Sequence, residues 1–284
     1  MRVPPEVIEF LRGYLDEDIR TGDLTTEIVC PPNLNGVATI FAKSKAILAG
    51  TEEIATIADM VNLTCEIVAS EGEWVKPRQP VIHLKGSANT LLTVERVCLN
   101  IIMRMCGIAT KTNKMVQAAK EGNPNVLVAA TRKTTPGFRY FEKRAVQVGG
   151  GDSHRYALDD MILIKNNHIS AVGGVAKAVS LAKKKVSFSK KISCEVRTLE
   201  ETLEAAENGA DIILLDNFTP EEIKQIINAL KKKKIRDRVL LEASGGIVEK
   251  NVKEYAQSGV DIISSGALTH SYKSADFNME LKIE

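Results

Sequence analysis

Six apolar, strand-like runs recur along the second half of this chain, and each stops at a charged or hydroxyl-bearing cluster. Val126 to Ala130 leads into Thr131-Arg132-Lys133-Thr134-Thr135-Pro136-Gly137, and Met161 to Ile164 leads into Lys165-Asn166-Asn167-His168. The later runs stop at Glu195, at Asp216, at Glu242 to Gly246 and at Ser264 to Gly266. Between most of them lies enough chain for one helix. Strand–helix alternation builds a parallel sheet, and parallel strands deliver all their C-terminal ends to one rim, where (β/α) barrels carry their sites. Six runs fall short of the eight strands of a closed barrel, so an incomplete, open-sided barrel is expected.

At 284 residues the chain exceeds the usual single-domain size, and its first hundred residues lack this rhythm. Pro4 to Leu15 reads as an amphipathic helix followed by an acidic loop, Asp16-Glu17-Asp18. Thr25 to Cys30, Gly36 to Ala42 and the stretch from Ile67 to Leu84 carry β-type patterning, and Thr51 to Val61 has helical spacing. Leu91 to Ala119 is helical in period, with a break expected at Gly107. These features predict an α+β domain over residues 1–107 and a barrel over 108–271. The remainder, 272–284, is too short for another βα unit and is expected to return to the first domain.

Apolar content of 44% and charged content of 26% are ordinary for a globular protein. No apolar run approaches the ~18–20 residues that span a bilayer. The opening Met1-Arg2-Val3-Pro4-Pro5-Glu6 has no apolar core of the signal-peptide kind, so no membrane association and a cytoplasmic location are expected. The five cysteines form no C-x-x-C pair and sit in apolar segments, so they read as reduced core residues rather than a disulfide framework or a zinc site. Lysine tracts at 183–185, 190–191 and 231–234 lack interleaved aromatic residues, and they read as solvated helix ends rather than a nucleic-acid surface.

The chemistry gathers at the strand ends. Arg132 and Lys133 follow one run, His154-Arg155 follows the glycines 149–151, and Lys165 ends the next run. Converging on one rim, such cations are stable when an anion or a carboxylate neutralises them. Arginine matches carboxylate and phosphate oxygens with a planar fork, and lysine supplies a point charge. The implied ligand therefore carries several negative charges. Ser244-Gly245-Gly246 and Ser265-Gly266 occupy the last two strand-end loops, where β/α barrels bind phosphate through backbone N–H groups. Glu195 and Asp216 end adjacent strands, placed to pair with the bases or to hold sugar hydroxyls or a hydrated Mg²⁺. H-E-x-x-H and P-loop patterns and an acyl-transfer triad are absent.

At this point the residues resemble a known family. T-R-K-T-T-P-G-F-R (131–139), G-G-G-D-S-H-R-Y-A-L-D-D-M-I-L-I-K-N-N-H-I (149–169), L-L-D-N-F (214–218), E-A-S-G-G-I (242–247) and G-V-D-I-I-S-S-G-A-L-T-H-S (259–271) look like quinolinate phosphoribosyltransferase, and E-D-I-R-T-G-D-L-T-T (17–26) and E-R-V-C-L-N (95–100) fit it too. The resemblance implies an N-terminal α/β sandwich domain, an open-faced α/β barrel, and a homodimer or higher oligomer with shared sites. It implies a pentosyltransferase of NAD biosynthesis that turns quinolinate and phosphoribosyl pyrophosphate (PRPP), with Mg²⁺, into nicotinate mononucleotide, CO₂ and pyrophosphate. Arg132, His154 and Arg155 would hold the quinolinate carboxylates, and Arg96 would reach the partner subunit's site. Lys133 and Lys165 would face pyrophosphate and substrate. Glu195 and Asp216 would position ribose and metal, directly or through water. Ser244, Gly245, Gly246, Ser265, Gly266 and His270 would cradle phosphate.

Three positions depart from the family pattern: Ser193, where a glutamate is usual, Asn166 in place of aspartate, and Cys106 in place of serine. Strand alternation puts residues 193 and 195 on one face, so a carboxylate near the pocket is expected to be missing. Two other readings stay open. One is a related phosphoribosyltransferase for nicotinate or another ring acid, including the paralogue associated with molybdenum transport. The other is a non-catalytic phospho-ligand sensor.

Overall fold

The computed structural model describes residues 3–284; Met1 and Arg2 of the opening stretch considered above lie outside the described residues. The chain forms two compact units, one of residues 1–113, 135–150 and 271–284, the other of 114–134 and 151–270. The first unit runs α1 (Pro5–Ile19), α2 (Leu24–Val29), β1 (Asn35–Ala42), β2 (Ala46–Ile47), α3 (Thr51–Met60), β3 (Thr64–Ile67), β4 (Trp74–Val75) and β5 (Pro80–Ser87). The long helix α4 (Ala88–Gly122) follows.

The chain continues through β6 (Leu127–Ala129), α5 (Arg139–Val148), β7 (Ile162–Ile164), α6 (Asn166–Val172), α7 (Val175–Lys185), β8 (Ile192–Val196) and α8 (Leu199–Glu207). It ends with β9 (Ile212–Asp216), α9 (Pro220–Lys232), β10 (Leu240–Ser244), α10 (Val252–Gln257), β11 (Ile262–Ser264), α11 (Ala267–His270) and β12 (Phe277–Ile283).

Six parallel strands make the sheet of the second unit, in the order β6-β11-β10-β9-β8-β7. The outermost strands β6 and β7 do not pair, so the barrel is open on that side. All five residues of β8 are buried, which is why these strands read as unbroken apolar runs rather than alternating ones. Helices between them are cut by local chemistry. Before α9, Thr219 Oγ accepts from the Glu222 N–H and the Glu222 carboxylate accepts from the Thr219 N–H at 2.7 Å, closing a capping box. Its buried stripe of Ile223, Ile226, Ile227 and Leu230 keeps the helical spacing.

The sheet of the first unit is antiparallel, in the order β12-β1-β5-β3. Its edge strand β12 comes from the far end of the chain and pairs with β1 from Gly36 opposite Ile283 to Ala42 opposite Phe277. Segment 135–150, counted with the barrel from the sequence, belongs to this unit. Side chains hold it there: Arg144 lies 2.8 Å from Glu52, 3.2 Å from Glu53 and 2.5 Å from Glu71, and Arg104 pairs with the buried Glu142. Phe138 stacks on Phe141 at 4.6 Å, and Tyr14 lies tilted against Phe138 at 5.8 Å.

Three local expectations are overturned. Asp16, Glu17 and Asp18 belong to the last turn of α1, not a loop, because Val7, Leu11 and Leu15 keep burying one face as the helix continues. Thr25 to Val29 is helical despite its β-branched residues, and Cys30 is extended. Asp23 caps the helix, accepting from Thr26 N at 3.0 Å and from Thr26 Oγ1 at 2.6 Å. Gly107 does not break α4. A β-carbon there would stand 2.4 Å from the Lys273 carbonyl, so the glycine permits close backbone approach.

Gly107→Ala therefore loses roughly 1–3 kcal/mol from overpacking, against a helix-propensity gain of about 1 kcal/mol, and denaturant titration reads the net loss. Glu53 gives a pH test. Fully buried and unaligned for hydrogen bonding with Arg144, it is pushed up to about 7 by burial. Raised above its unfolded value, this carboxyl stabilises the fold at low pH and loses that contribution as pH rises from about 4.5 to 7. Wild type should lose on the order of 2–3 kcal/mol between pH 5 and 8 that Glu53→Gln retains, measured as the difference between their pH–stability curves.

Candidate functional site

The C-terminal ends of the parallel strands enclose a cavity of about 420 Å³ within the second unit. Arg132 and Lys133 enter from the loop after β6, His154 and Arg155 from the segment before β7, and Lys165 from the residue after β7. Glu195 projects from β8, Asp216 ends β9, and Ser244, Gly245 and Gly246 follow β10. Ser265 and Gly266 lie in the turn after β11, and His270 ends α11. Residues from separate stretches of sequence thus meet because one sheet aims all its strand ends the same way. Arg96 does not line this cavity; it stands on α4 in the first unit, 60% exposed and 3.9 Å from Glu95.

The charges are only partly matched. Lys165 Nζ sits 3.2 Å from Glu195 Oε2, and Arg197 Nε lies 3.8 Å from Asp216. Arg132 Nε is buried with no acceptor among the described residues. Burial, and then the neighbouring Arg132 charge, lower the Arg155 guanidinium below its usual range, while Glu242 pulls the other way. Two adjacent guanidiniums with an unfilled donor form a place for an anion.

In the loop after β10, Gly245 and Gly246 both take positive φ, 101° and 62°. A β-carbon on Gly245 would strike the Asn217 side chain at 2.2 Å, whereas the space beside Gly246 is open for 4 Å. The loop therefore bares its backbone to the cavity, as phosphate cradles do. Ser265 lines the cavity, but its hydroxyl donates to the Ile247 carbonyl at 2.7 Å and accepts from Ala267 N, so it braces this loop. His168, at a strand end in sequence, also turns out to be a brace: its Nδ1 accepts from the Lys165 N–H at 2.9 Å.

Among the described residues no group of three or more His, Cys, Asp or Glu side chains could cage a metal. Glu195 and Asp216 lie near the C-terminal ends of adjacent strands and both line the cavity, and a cation such as Mg²⁺ takes one or two carboxylates and completes its shell with phosphate oxygens and water.

The three unusual positions have physical explanations of unequal strength. With its amide oxygen turned toward Arg197, Asn166 accepts from Nη2 at 2.6 Å and Nε at 2.9 Å, so the acceptor role of an aspartate survives. Cys106 accepts from Ala49 N at 3.2 Å in a buried pocket, where a serine hydroxyl would do the same; burial pushes its thiol up to about 12. Ser193 is fully buried, does not line the cavity, and its hydroxyl has no partner among the described residues. Nothing in the structure explains that serine. Glu242 was not singled out from the sequence, yet it lines the cavity with Oε2 3.2 Å from His154 Nε2.

Two family models match the chain: "Quinolinate phosphoribosyl transferase, N-terminal domain" over residues 23–106 and its C-terminal domain counterpart over 108–280. A protein of Archaeoglobus fulgidus named "Probable nicotinate-nucleotide pyrophosphorylase [carboxylating]" is 43% identical over 255 residues, covering 90% of this chain and 98% of that protein. The human nicotinate-nucleotide pyrophosphorylase (carboxylating) is 41% identical over 244 residues, covering 86% of this chain and 82% of its own. The crystal structure of NadC from Streptococcus pyogenes superposes with a TM-score of 0.91 at 37% identity, covering 99% and 98% of the two chains.

A ligand that fills the cationic wall should stabilise the fold by mass action. Inorganic pyrophosphate at a hundred times its Kd raises stability by about 2.7 kcal/mol over chloride of equal ionic strength, and Lys133→Ala removes most of that gain; thermal melts read both.

Proposed function

The chain belongs to the quinolinate phosphoribosyltransferase family, and on that footing we propose that its barrel cavity converts quinolinate and PRPP to nicotinate mononucleotide, CO₂ and pyrophosphate. The observation that carries the assignment is the buried, acceptor-less Nε of Arg132 in one cavity with Arg155, His154 and the exposed Gly246 backbone. The guanidiniums suit a planar diacid and the glycine loop a phosphate.

Arg132, Arg155 and His154 take the two ring carboxylates, which fixes the pyridine nitrogen toward the sugar. The Ser244–Gly246 loop, Gly266 and His270 take the 5′-phosphate, and Ser265 holds that loop in shape. The ring nitrogen attacks the anomeric carbon, and the bond to pyrophosphate breaks with its electron pair leaving on oxygen. Lys133 and Lys165 stabilise that departing charge, a contribution that is commonly the largest in such transfers. Glu195 and Asp216 hold the ribose hydroxyls. They would also hold Mg²⁺, directly or through water, and Mg²⁺ when bound with the diphosphate would neutralise its growing negative charge.

Quaternising the nitrogen makes the ring an electron sink. The adjacent carbon–carboxylate bond then breaks, CO₂ leaves, and a proton from solvent replaces it on the carbon. No side chain needs to form a covalent bond.

Arg96 supports a homodimer reading. Exposed on α4 and remote in sequence from the cavity residues, it is available to the site of a second copy. Among the described residues no helix is long and apolar enough to cross a membrane. Small charged substrates fit a cytoplasmic enzyme.

Purified protein mixed with PRPP, Mg²⁺ and carboxyl-labelled quinolinate should release labelled CO₂. Turnover of nicotinate instead, or binding without turnover, would overturn the assignment. Arg132→Ala and Arg155→Ala should each raise the quinolinate KM on the order of tenfold or more while changing the PRPP KM about twofold or less. Equal losses for both substrates would contradict the carboxylate roles.

A further inference from the structure

His154 is fastened from two sides. Its backbone stands at φ 54°, a left-handed conformation disfavoured for a residue with a β-carbon. Asp152 Oδ1 holds it there, accepting from the His154 N–H at 2.6 Å. Asp152 is itself tied to the free edge of β6, donating to Val128 O and accepting from Ala130 N, both at 2.8 Å. The chain segment that carries His154 thus uses the open side of the barrel as its anchor.

The side chain is held from across the sheet. Glu242 lies in the middle of β10, level with Leu214 on β9 and Ile262 on β11, and its Oε2 is 3.2 Å from His154 Nε2. It is 1% exposed, and its other oxygen has no hydrogen-bond partner among the described residues. A buried carboxylate is expensive unless paired, and beneath a site for a dianion it also repels the ligand. A second cavity, of about 290 Å³, is also lined by His154, Arg155 and Glu242, so the residue borders two cavities.

We propose that Glu242 is a positioning residue of the diacid site: its carboxylate accepts from His154 Nε2–H, so that with the diacid bound the doubly protonated imidazolium turns Nδ1–H, a donor, to the substrate carboxylate. This rests on the reading of the cavity given above. A carboxylate on one ring nitrogen both aims an imidazole and favours its doubly protonated form, in which the other nitrogen also donates. Strain at φ 54° and the cost of the buried charge are then two parts of one arrangement that presents Nδ1–H to the ligand.

Steady-state kinetics on wild type, Glu242→Gln, His154→Ala and the double variant test this. Glu242→Gln should raise the quinolinate KM about ten- to a hundredfold with the PRPP KM changed about twofold or less. The double variant should be no worse than His154→Ala alone by more than about twofold, because both substitutions remove one interaction. Fully multiplying effects, or a parallel rise in both KM values, would overturn the proposal.

Nitrogen-15 NMR of the wild-type imidazoles, assigned with His154→Gln, gives an arm independent of turnover and of variant folding. A proton on Nε2 in slow exchange supports the pairing, and a proton confined to Nδ1 overturns it. Absence of quinolinate turnover in wild type with this signal present would sink the assigned reaction while leaving the His154–Glu242 pair standing.

Discussion

Mutual repulsion among cations is the constraint around which this molecule is arranged. Arg132, Lys133, Arg155 and Lys165 converge on a single cavity. A parallel sheet can bring them together only by accepting a repulsive energy that water would otherwise screen. The protein offsets part of it with its own acids: Glu195 answers Lys165, and Glu242 answers His154 and Arg155. Asp216 and Asn166 together restrain Arg197. What is left uncompensated lies around Arg132, where the orphan donor sits. The unbalanced part of the charge and the ligand-ready part of the cavity coincide.

The second unit was largely legible in the sequence, and for a physical reason. Strands covered on both faces leave unbroken apolar runs, and each run ends where polar side chains first become useful. The charged ends of those runs gave the cavity lining directly. Elements governed by distant partners were not legible. Segment 139–148 looks like an ordinary crossover helix until Glu52, Glu53 and Glu71 are seen around Arg144. Gly107 looks like a helix breaker until the Lys273 carbonyl is found pressed against it. Thr25 to Cys30 has the side chains of a strand, and a single cap at Asp23 outweighs them.

Glu242 shows the same limit at the site. In the sequence it is one acid at the start of a glycine-rich turn, and its partner is 88 residues away. Alternation along β10 decides that its side chain points inward, and the open barrel side decides where His154 can stand. Neither fact is local. Arg96 is a contrasting case: the motif around it is easily recognised, yet it lies on a unit that does not contain the cavity.

The antiparallel sheet of the first unit takes its outer strand from residues 277–283. During synthesis that strand leaves the ribosome only after every βα element has emerged. The barrel strands can therefore pair while the first unit still exposes an unpaired β1 edge, which is the kind of edge that invites aggregation. For a nascent polypeptide, a strand translated after the whole barrel decides when the sheet begun before it becomes safe.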